Sequence, residues 1–462
     1  MSEAAPVAVD VDALAAIVGA DGVSTADADL RHYGDDWAHL APPAPAAIVL
    51  PRSVDQVSAL VRWAEATGTA LVPSGGRTGL SGGALAARGE VVLSLERMRR
   101  ILAVDAGEGT ITVEAGVTTA AVQQAAHAHG LHYPVDFGSR GSSHIGGNIA
   151  TNAGGIHVLR HGMTRDQVLG LRAVTGGGRV LDCNRGLLKN NTGYDFRHLF
   201  AGSEGTLGII VEATLRLRPP PPPQQVALFA LPALQALMPV FAAARDTLAL
   251  GAFEFLTEPA LQHVLARGGR RPFAAAAACY VLAEFDADEP AALRLFEALL
   301  ARGLVADGVL ASSQEQAAEL WRLRESITES LAPRRPYKND IAVRVARVPE
   351  FLARAGALFA AEYPDFEVIW FGHIGDGNLH VSVLPPVGMP HPDFVAACAR
   401  VTARLADLLG EFGGTISAEH GVGLLKKPYL GCSREPAEIE LMRGLKRVFD
   451  PAGIFNPGKI FD

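Results

Sequence analysis

Cysteine is scarce in these 462 residues: four in all, at positions 183, 279, 398 and 432, with no CxxC pair among them. That excludes a recognisable iron–sulfur or zinc–cysteine site and suits a reducing compartment. Positive charge is short as well. Lys and Arg total 41 against 49 Asp and Glu, a net charge of -8. Phosphate backbones are bound with Lys and Arg, so this balance argues against a nucleic-acid partner. It leaves an anionic small molecule open, because a local field can oppose the global charge. No basic residue precedes Arg31, so neither a secretory n-region nor an Arg-rich transit peptide is expected. Long uninterrupted apolar runs are missing too. The longest, Val226 to Ala244, carries Pro232, Gln235 and Pro239, and reads as a buried strand followed by a helix. No internal repeat stands out. The expectation is a soluble, cytoplasmic protein with no integral membrane segment and no nucleic-acid partner.

What is present is ample core material, 49% apolar against 19% charged residues, over a length that suggests two or three domains. After a helical start at Val11 to Val18, a βα rhythm begins with a strand at 46–51. Ser53 is placed to cap a helix that stops at Gly68, and a second strand, 70–76, runs into glycines. Five consecutive prolines, Pro219 to Pro223, cannot continue a helix or donate to a sheet, and mark the clearest boundary. Beyond them, strand-like runs alternate with Ala/Leu-rich helices in a second α+β domain.

The segment from Pro73 to Gly83 places five glycines in eleven residues after a strand. Such a loop lets successive backbone N–H groups converge on an anion. It has no Lys for a P-loop and does not open a helix as a Rossmann fingerprint does. A glycine-rich structural turn is the competing reading. A second cluster, Pro134 to Gly155, combines glycines with Asn148, Thr151 and Asn152, whose short side chains can satisfy the heteroatoms of a flat polar ring system. A third, Leu188 to Ile210, ends in an apolar strand with glycines beside it.

These three ordered blocks resemble the FAD domain of the vanillyl-alcohol oxidase/p-cresol methylhydroxylase superfamily, more narrowly its D-2-hydroxyglutarate/D-lactate/glycolate dehydrogenase branch. The likeness runs from about residue 45 to the C-terminus. It implies an α+β fold: a two-subdomain FAD-binding domain of the p-cresol methylhydroxylase type, 1–218, then an α+β substrate (cap) domain, 219–450. Residues 451–462 would return to the FAD domain. By the same likeness Ser74, Gly75, Gly76, Arg77, Thr78, Gly79 and Gly82 wrap the FAD pyrophosphate. Pro134, Gly146, Asn148, Thr151, Asn152 and Gly155, with Gly205, Ile209 and Ile210, lie along the rest of the cofactor. Arg77 stands where covalently flavinylated relatives can carry a His, so noncovalent FAD is expected. Asn456, in a closing Phe-Asn-Pro-Gly segment, is a further flavin contact.

In Gly372-His-Ile-Gly-Asp-Gly-Asn-Leu-His380 an Asp-Gly turn between strand-like flanks would bring two imidazoles near one another. Two neutral imidazoles suit Zn²⁺ or a similar cation, which usually takes a third ligand. Glu419, beside His420, is a candidate. Isolated histidines of this kind are more often polar core or surface groups. The resemblance reverses that balance, making His373, His380 and Glu419 metal ligands and His420 the catalytic base.

Arg324 and Thr328 are spaced i, i+4 on a predicted helix and so would share a face. By the family likeness they join Lys338 in binding a substrate carboxylate, favouring a dicarboxylate such as D-2-hydroxyglutarate or D-malate. Ser382 departs from the branch, which commonly has Asn there. Two other readings stand beside this one: a D-lactate or glycolate dehydrogenase, and a non-catalytic flavin electron-transfer subunit. The electron acceptor is open, with a flavoprotein or a quinone route among the possibilities.

Overall fold

The computed structural model describes residues 9–462, so the first eight residues of the expected 1–218 domain lie outside the described residues. The chain divides into two compact units. One takes the described residues up to Gly155 together with His161–Pro220 and Glu419–Asp462; the other takes Ile156–Arg160 and Pro221–Ala418. The sequence reading has the chain return to the first unit at residue 451, but the return begins at Glu419. Hydrogen bonds explain the earlier re-entry. Ser81 Oγ donates to the His420 carbonyl at 2.8 Å, and the Val422 and Gly423 N–H groups donate to the Glu204 carboxylate at 2.7 and 2.8 Å.

In the first unit the strands Val23–Ser24, Ala47–Val49, Val91–Ser94 and Leu71–Ser74 lie side by side in that order, the last three parallel. The crossover between Ala47–Val49 and Leu71–Ser74 is the helix Val54–Thr67. Ser53 caps its start by accepting from Gln56 N–H, and Gly68, at φ 68°, ends it in the left-handed conformation. It buries Val57, Leu60, Val61 and Ala64, one stripe at helical spacing, each large side chain contributing about 1.5–3 kcal/mol. A second, antiparallel sheet runs Ile101–Asp105, Thr110–Glu114, Ile209–Arg216, Val168–Thr175, Arg179–Cys183. Val49, Leu71, Val91 and Leu93 of the first sheet share a core with Val174, Ile209 and Val211 of the second. That shared core fixes where the strand Leu71–Ser74 releases the chain into the glycine loop.

The second unit is built on an antiparallel sheet in the order Asp307–Leu310, Gln224–Leu231, Cys279–Asp286, Leu250–Thr257, Glu367–Gly372, Asn378–Leu384, Tyr337–Ala342. The apolar stretch 226–244 divides into the strand Gln224–Leu231 and the helix Leu237–Thr247, as its prolines imply. Register aligns Leu256 with Phe371, Phe371 with His380, and His380 with Asp340. Because side chains alternate along a strand, these residues share one sheet face with Glu254, Ser382 and Lys338. Part of that face is closed by Leu323, Ile327 and Leu331. Among the described residues no helix is long and apolar enough to cross a membrane.

Candidate active site

The first unit holds a cavity of about 280 Å³ that is lined by all three glycine-bearing segments. Ser74, Gly75, Gly76, Arg77, Thr78 and Gly79 form one wall; Gly146, Asn148, Thr151 and Gly155 form another; Gly205, Ile209, Ile210 and Asn456 complete it. His420 and Glu419 also reach its surface. Three expected residues stand outside the lining. Gly82 turns the loop at φ 76° with its Cα side toward Leu40 and Leu424. Pro134 sits between the buried Tyr133 and Val135. Asn152 ends the helix Ile145–Thr151 at φ 49°, and its Oδ1 accepts from Arg165 N–H at 2.9 Å, so its amide is spent inside the protein.

The lining fits a diphosphate-bearing, flat cofactor. Among the described residues no protein group accepts from the backbone N–H groups of Gly75 through Gly83. Ser74 Oγ and His144 Nδ1, both buried at the cavity wall, likewise lack a hydrogen-bond partner. Burial holds the His144 imidazole below its ordinary pKa, with the Arg77 charge adding to the effect, so it faces the cavity neutral. Arg77 itself, at φ 57°, turns its guanidinium away, 4.6 Å above the Tyr33 ring and 2.8 Å from His32 Nε2.

A clamp at the C-terminus holds this loop. Lys459 is buried and donates to the Gly83 and Leu85 carbonyls, each at 2.8 Å, and to Asn456 Oδ1 at 2.9 Å. Asn456 Nδ2 donates to the carbonyls of Glu204 at 2.7 Å and Gly83 at 3.1 Å. Asn456 therefore lines the cavity with its amide engaged in the clamp. Burial pushes the Lys459 ammonium down to about 8. Between that value and the ordinary Lys range the unfolded chain binds a proton the folded one lacks, so this group adds stability as pH rises and the gain is lost as pH falls through 8. Raising pH from 8 to 9.5 should stabilise the protein relative to Lys459→Met by at most about 2 kcal/mol in chemical denaturation. Parallel pH profiles for the two proteins would remove this account.

In the second unit the strands Glu367–Gly372 and Asn378–Leu384 form a hairpin that holds the His373 and His380 ring centroids 5.2 Å apart at 83°. Its turn is tight. Gly377 has φ 87°, and a Cβ there would lie 2.1 Å from the Val343 carbonyl oxygen. Each imidazole has a buried carboxylate on its Nδ1 side. His373 Nδ1 donates to Glu254 Oε1 at 2.8 Å, and His380 Nδ1 lies 3.6 Å from Asp340 Oδ1, which also accepts from Asn378 Nδ2 at 2.8 Å. Burial pushes Asp376, in the turn, up to about 6.

Arg324 is buried on the same sheet face, its guanidinium 5.0 Å from the Phe371 ring and 2.9 Å from Glu254 Oε2. The pair is an ion contact whose angle is off line for a hydrogen bond, and Arg324 Nε and Nη2 have no hydrogen-bond acceptor. Burial alone would raise the Glu254 carboxyl, but the groups of His373 and Arg324 bring it below its ordinary value. Breaking such a buried pair by removing one partner typically costs about 3–5 kcal/mol. Ser382 is buried opposite Lys338, which is exposed on the edge strand. Thr328 is exposed and does not join Arg324. The helix Gln314–Glu325 ends at Ser326 and a short one, Ile327–Leu331, follows, which breaks the i, i+4 spacing.

Sequence reasoning missed His144, Glu204 and Lys459 in the first unit, and Glu254 and Asp340 in the second. Glu254 did leave a signal: a lone acid inside the apolar strand Leu250–Thr257. A buried charge of that kind needs partners.

Comparison with known proteins decides the family. Residues 45–184 match the FAD binding domain model, and residues 220–460 match the model of FAD linked oxidases, C-terminal domain. The chain is 58% identical to the D-2-hydroxyglutarate dehydrogenase of Xanthomonas citri pv. viticola, over 95% of this chain and 94% of that protein. This chain belongs to the FAD-linked D-2-hydroxy acid dehydrogenase family. A second family member, the D-2-hydroxyglutarate dehydrogenase of Stutzerimonas stutzeri, is 50% identical over 98% of each chain. The solved structure of p-cresol methylhydroxylase with substrate bound superimposes with a TM-score of 0.77 at 16% identity, covering 98% of this chain and 96% of that one, which establishes the shared fold. The protein is therefore an FAD-dependent dehydrogenase with an FAD-binding domain and a C-terminal α+β domain of the p-cresol methylhydroxylase type.

Proposed function

We propose that this dehydrogenase oxidises D-2-hydroxyglutarate, and D-malate with it, to the corresponding 2-oxo acid. The observation that carries the reading is one sheet face holding two adjacent imidazoles together with a buried guanidinium that has unmet donors. Imidazoles paired in this way suit a divalent cation, and the guanidinium suits the far carboxylate of a diacid. His373, His380 and Glu419 would hold the ion, which we assign as zinc on ligand type. When bound, that ion would polarise the substrate's α-hydroxyl and carboxylate oxygens. FAD, held noncovalently by the glycine loops, would supply the hydride-accepting N5.

The residues' own work follows. His420 takes the α-hydroxyl proton on a ring nitrogen, for which it must be neutral. Arg324 and Lys338 orient the distal carboxylate, with Ser382 at the substrate's flank. The Gly75–Gly83 N–H groups neutralise the diphosphate. Noncovalent attachment is supported by Arg77, whose side chain is turned to Tyr33 at the position where a tethering His would stand. Three buried, unpaired cysteines agree with a reducing, cytoplasmic setting. The acceptor that reoxidises the flavin would be a flavoprotein or a quinone reached through one.

Ser382 favours a second reading, D-lactate or glycolate oxidation without preference for a diacid. Its buried hydroxyl offers less reach and fewer donors than an amide. Anaerobic flavin bleaching separates the two. Rapid bleaching by D-2-hydroxyglutarate and D-malate, abolished by a chelator and restored by Zn²⁺, is the expected result. Bleaching by D-lactate alone would sink the diacid assignment, and chelator-insensitive bleaching would sink the metal.

A further inference from the structure

We infer that Glu254 is a positioning residue that sets both the metal affinity and the diacid preference of this site. One buried carboxylate, 1% exposed, serves two functional groups at once. Its Oε1 accepts from His373 Nδ1 at 2.8 Å, and its Oε2 lies 2.9 Å from Arg324 Nη2. The assignment rests on the proposed function, since it requires that His373 bind a metal and Arg324 a substrate carboxylate.

The chemistry runs in two directions from the same atom pair. An ionised carboxylate can only accept, so its bond to His373 fixes the ring proton on Nδ1 and leaves the Nε2 lone pair as the donor to a cation. It also holds the ring plane against rotation. On the other side, Glu254 anchors Arg324 through one end of the guanidinium. Phe371 packs against it at 5.0 Å, and the helix Gln314–Glu325 carries its backbone. The anchor is made at Nη2 as an ion contact off the hydrogen-bond line, so Nε and Nη2 both lack a hydrogen-bond acceptor inside the protein, and such a donor pair can take a carboxylate in bidentate fashion. An Arg this deeply buried would not persist as a carboxylate receptor without a fixed counter-charge, and Glu254 supplies it. Asp340 does not duplicate the role. It stands beside His380, whose Nδ1 lies 3.6 Å from its Oδ1, and the same oxygen accepts from Asn378 Nδ2. Glu254 contacts both an imidazole and the guanidinium of Arg324.

The test uses the full-length FAD-loaded protein and two substitutions with separate readouts. Glu254→Gln keeps the shape but replaces one acceptor oxygen by an NH₂ group, which cannot face both His373 and Arg324. The Zn²⁺ dissociation constant, measured by competition with a chromogenic chelator, should rise about 10–100-fold. The ratio of kcat/KM for D-2-hydroxyglutarate to that for D-lactate should fall at least about tenfold, carried mainly by KM for the diacid. Arg324→Met should abolish the diacid preference while leaving Zn²⁺ affinity within about threefold of wild type, because Glu254 still holds His373. That asymmetry, one residue moving two readouts and its neighbour only one, is what a merely structural role would not produce. If Glu254→Gln yields no FAD-loaded protein, Glu254→Asp is measured instead. Its carboxylate sits one methylene short, and both quantities should shift in the same directions by smaller factors. Wild-type Zn²⁺ affinity in the Glu254 variant, or an unchanged diacid ratio, overturns the assignment and leaves the proposed function intact. Wild-type protein that takes up no Zn²⁺ overturns the proposed function and this inference with it.

Discussion

Substituting His420 by Asn should lower kcat for D-2-hydroxyglutarate by about 10²–10⁴-fold, the range in which a positioned general base contributes, while the protein remains yellow. Flavin retention is expected because the tie that holds this segment is made by the main chain. Ser81 Oγ donates to the carbonyl of residue 420, and the N–H groups of residues 422 and 423 donate to Glu204, all independent of the side chain. KM should change little, since the base meets the reacting proton and not the carboxylates. A loss below tenfold would remove His420 as the base. Loss of the flavin together with activity would instead make it a structural residue of the cavity wall.

Gly76→Ala should give the largest loss of cofactor, with the FAD dissociation constant raised by at least about 100-fold, or about 2.7 kcal/mol. A Cβ at this position would lie 2.0 Å from the Ser142 carbonyl oxygen and 2.8 Å from its carbon. Both are main-chain atoms, so no rotamer change relieves the overlap, and one of the two loops that meet here must move. Gly75, its neighbour, is a useful control. A Cβ there meets only the His144 side chain at 3.4 Å, an ordinary contact. Fluorescence titration of apoprotein with FAD would compare them directly. Equal, small losses at both positions would mean that the loop is plastic and that close backbone approach is not what its glycines are for.

Much of the first unit was legible in the sequence because its signals are local. Ser53 and Gly68 announce a helix through the caps it needs, and the proline run from Pro219 announces an interruption through the missing donors of its own residues. The glycine segments could be read for the same reason: a row of open N–H groups is written in consecutive residues, and all three segments line one cavity. The expectation failed where a residue's task depends on partners far along the chain. Asn152 looked like a cofactor contact and proves to be a helix end bonded to Arg165. The return of the chain at Glu419 could not be foreseen, since it depends on Ser81 and Glu204, each more than two hundred residues away.

The second unit makes the same division sharper. His373 and His380, parted by an Asp-Gly turn, belong to one hairpin, and a hairpin is written in a short stretch of sequence. Thr328 was placed beside Arg324 on helical spacing and the family likeness, and the helix breaks between them at Ser326. By itself, then, the sequence determined the family, the glycine loops and the histidine pair, because each resides in contiguous residues with fixed backbone requirements. Only the tertiary structure decided that Glu254, in a strand more than a hundred residues before His373 and seventy before Arg324, stands between the two. A buried carboxylate takes its meaning from the donors that surround it, and strand pairing in the folded sheet is what brings those donors together.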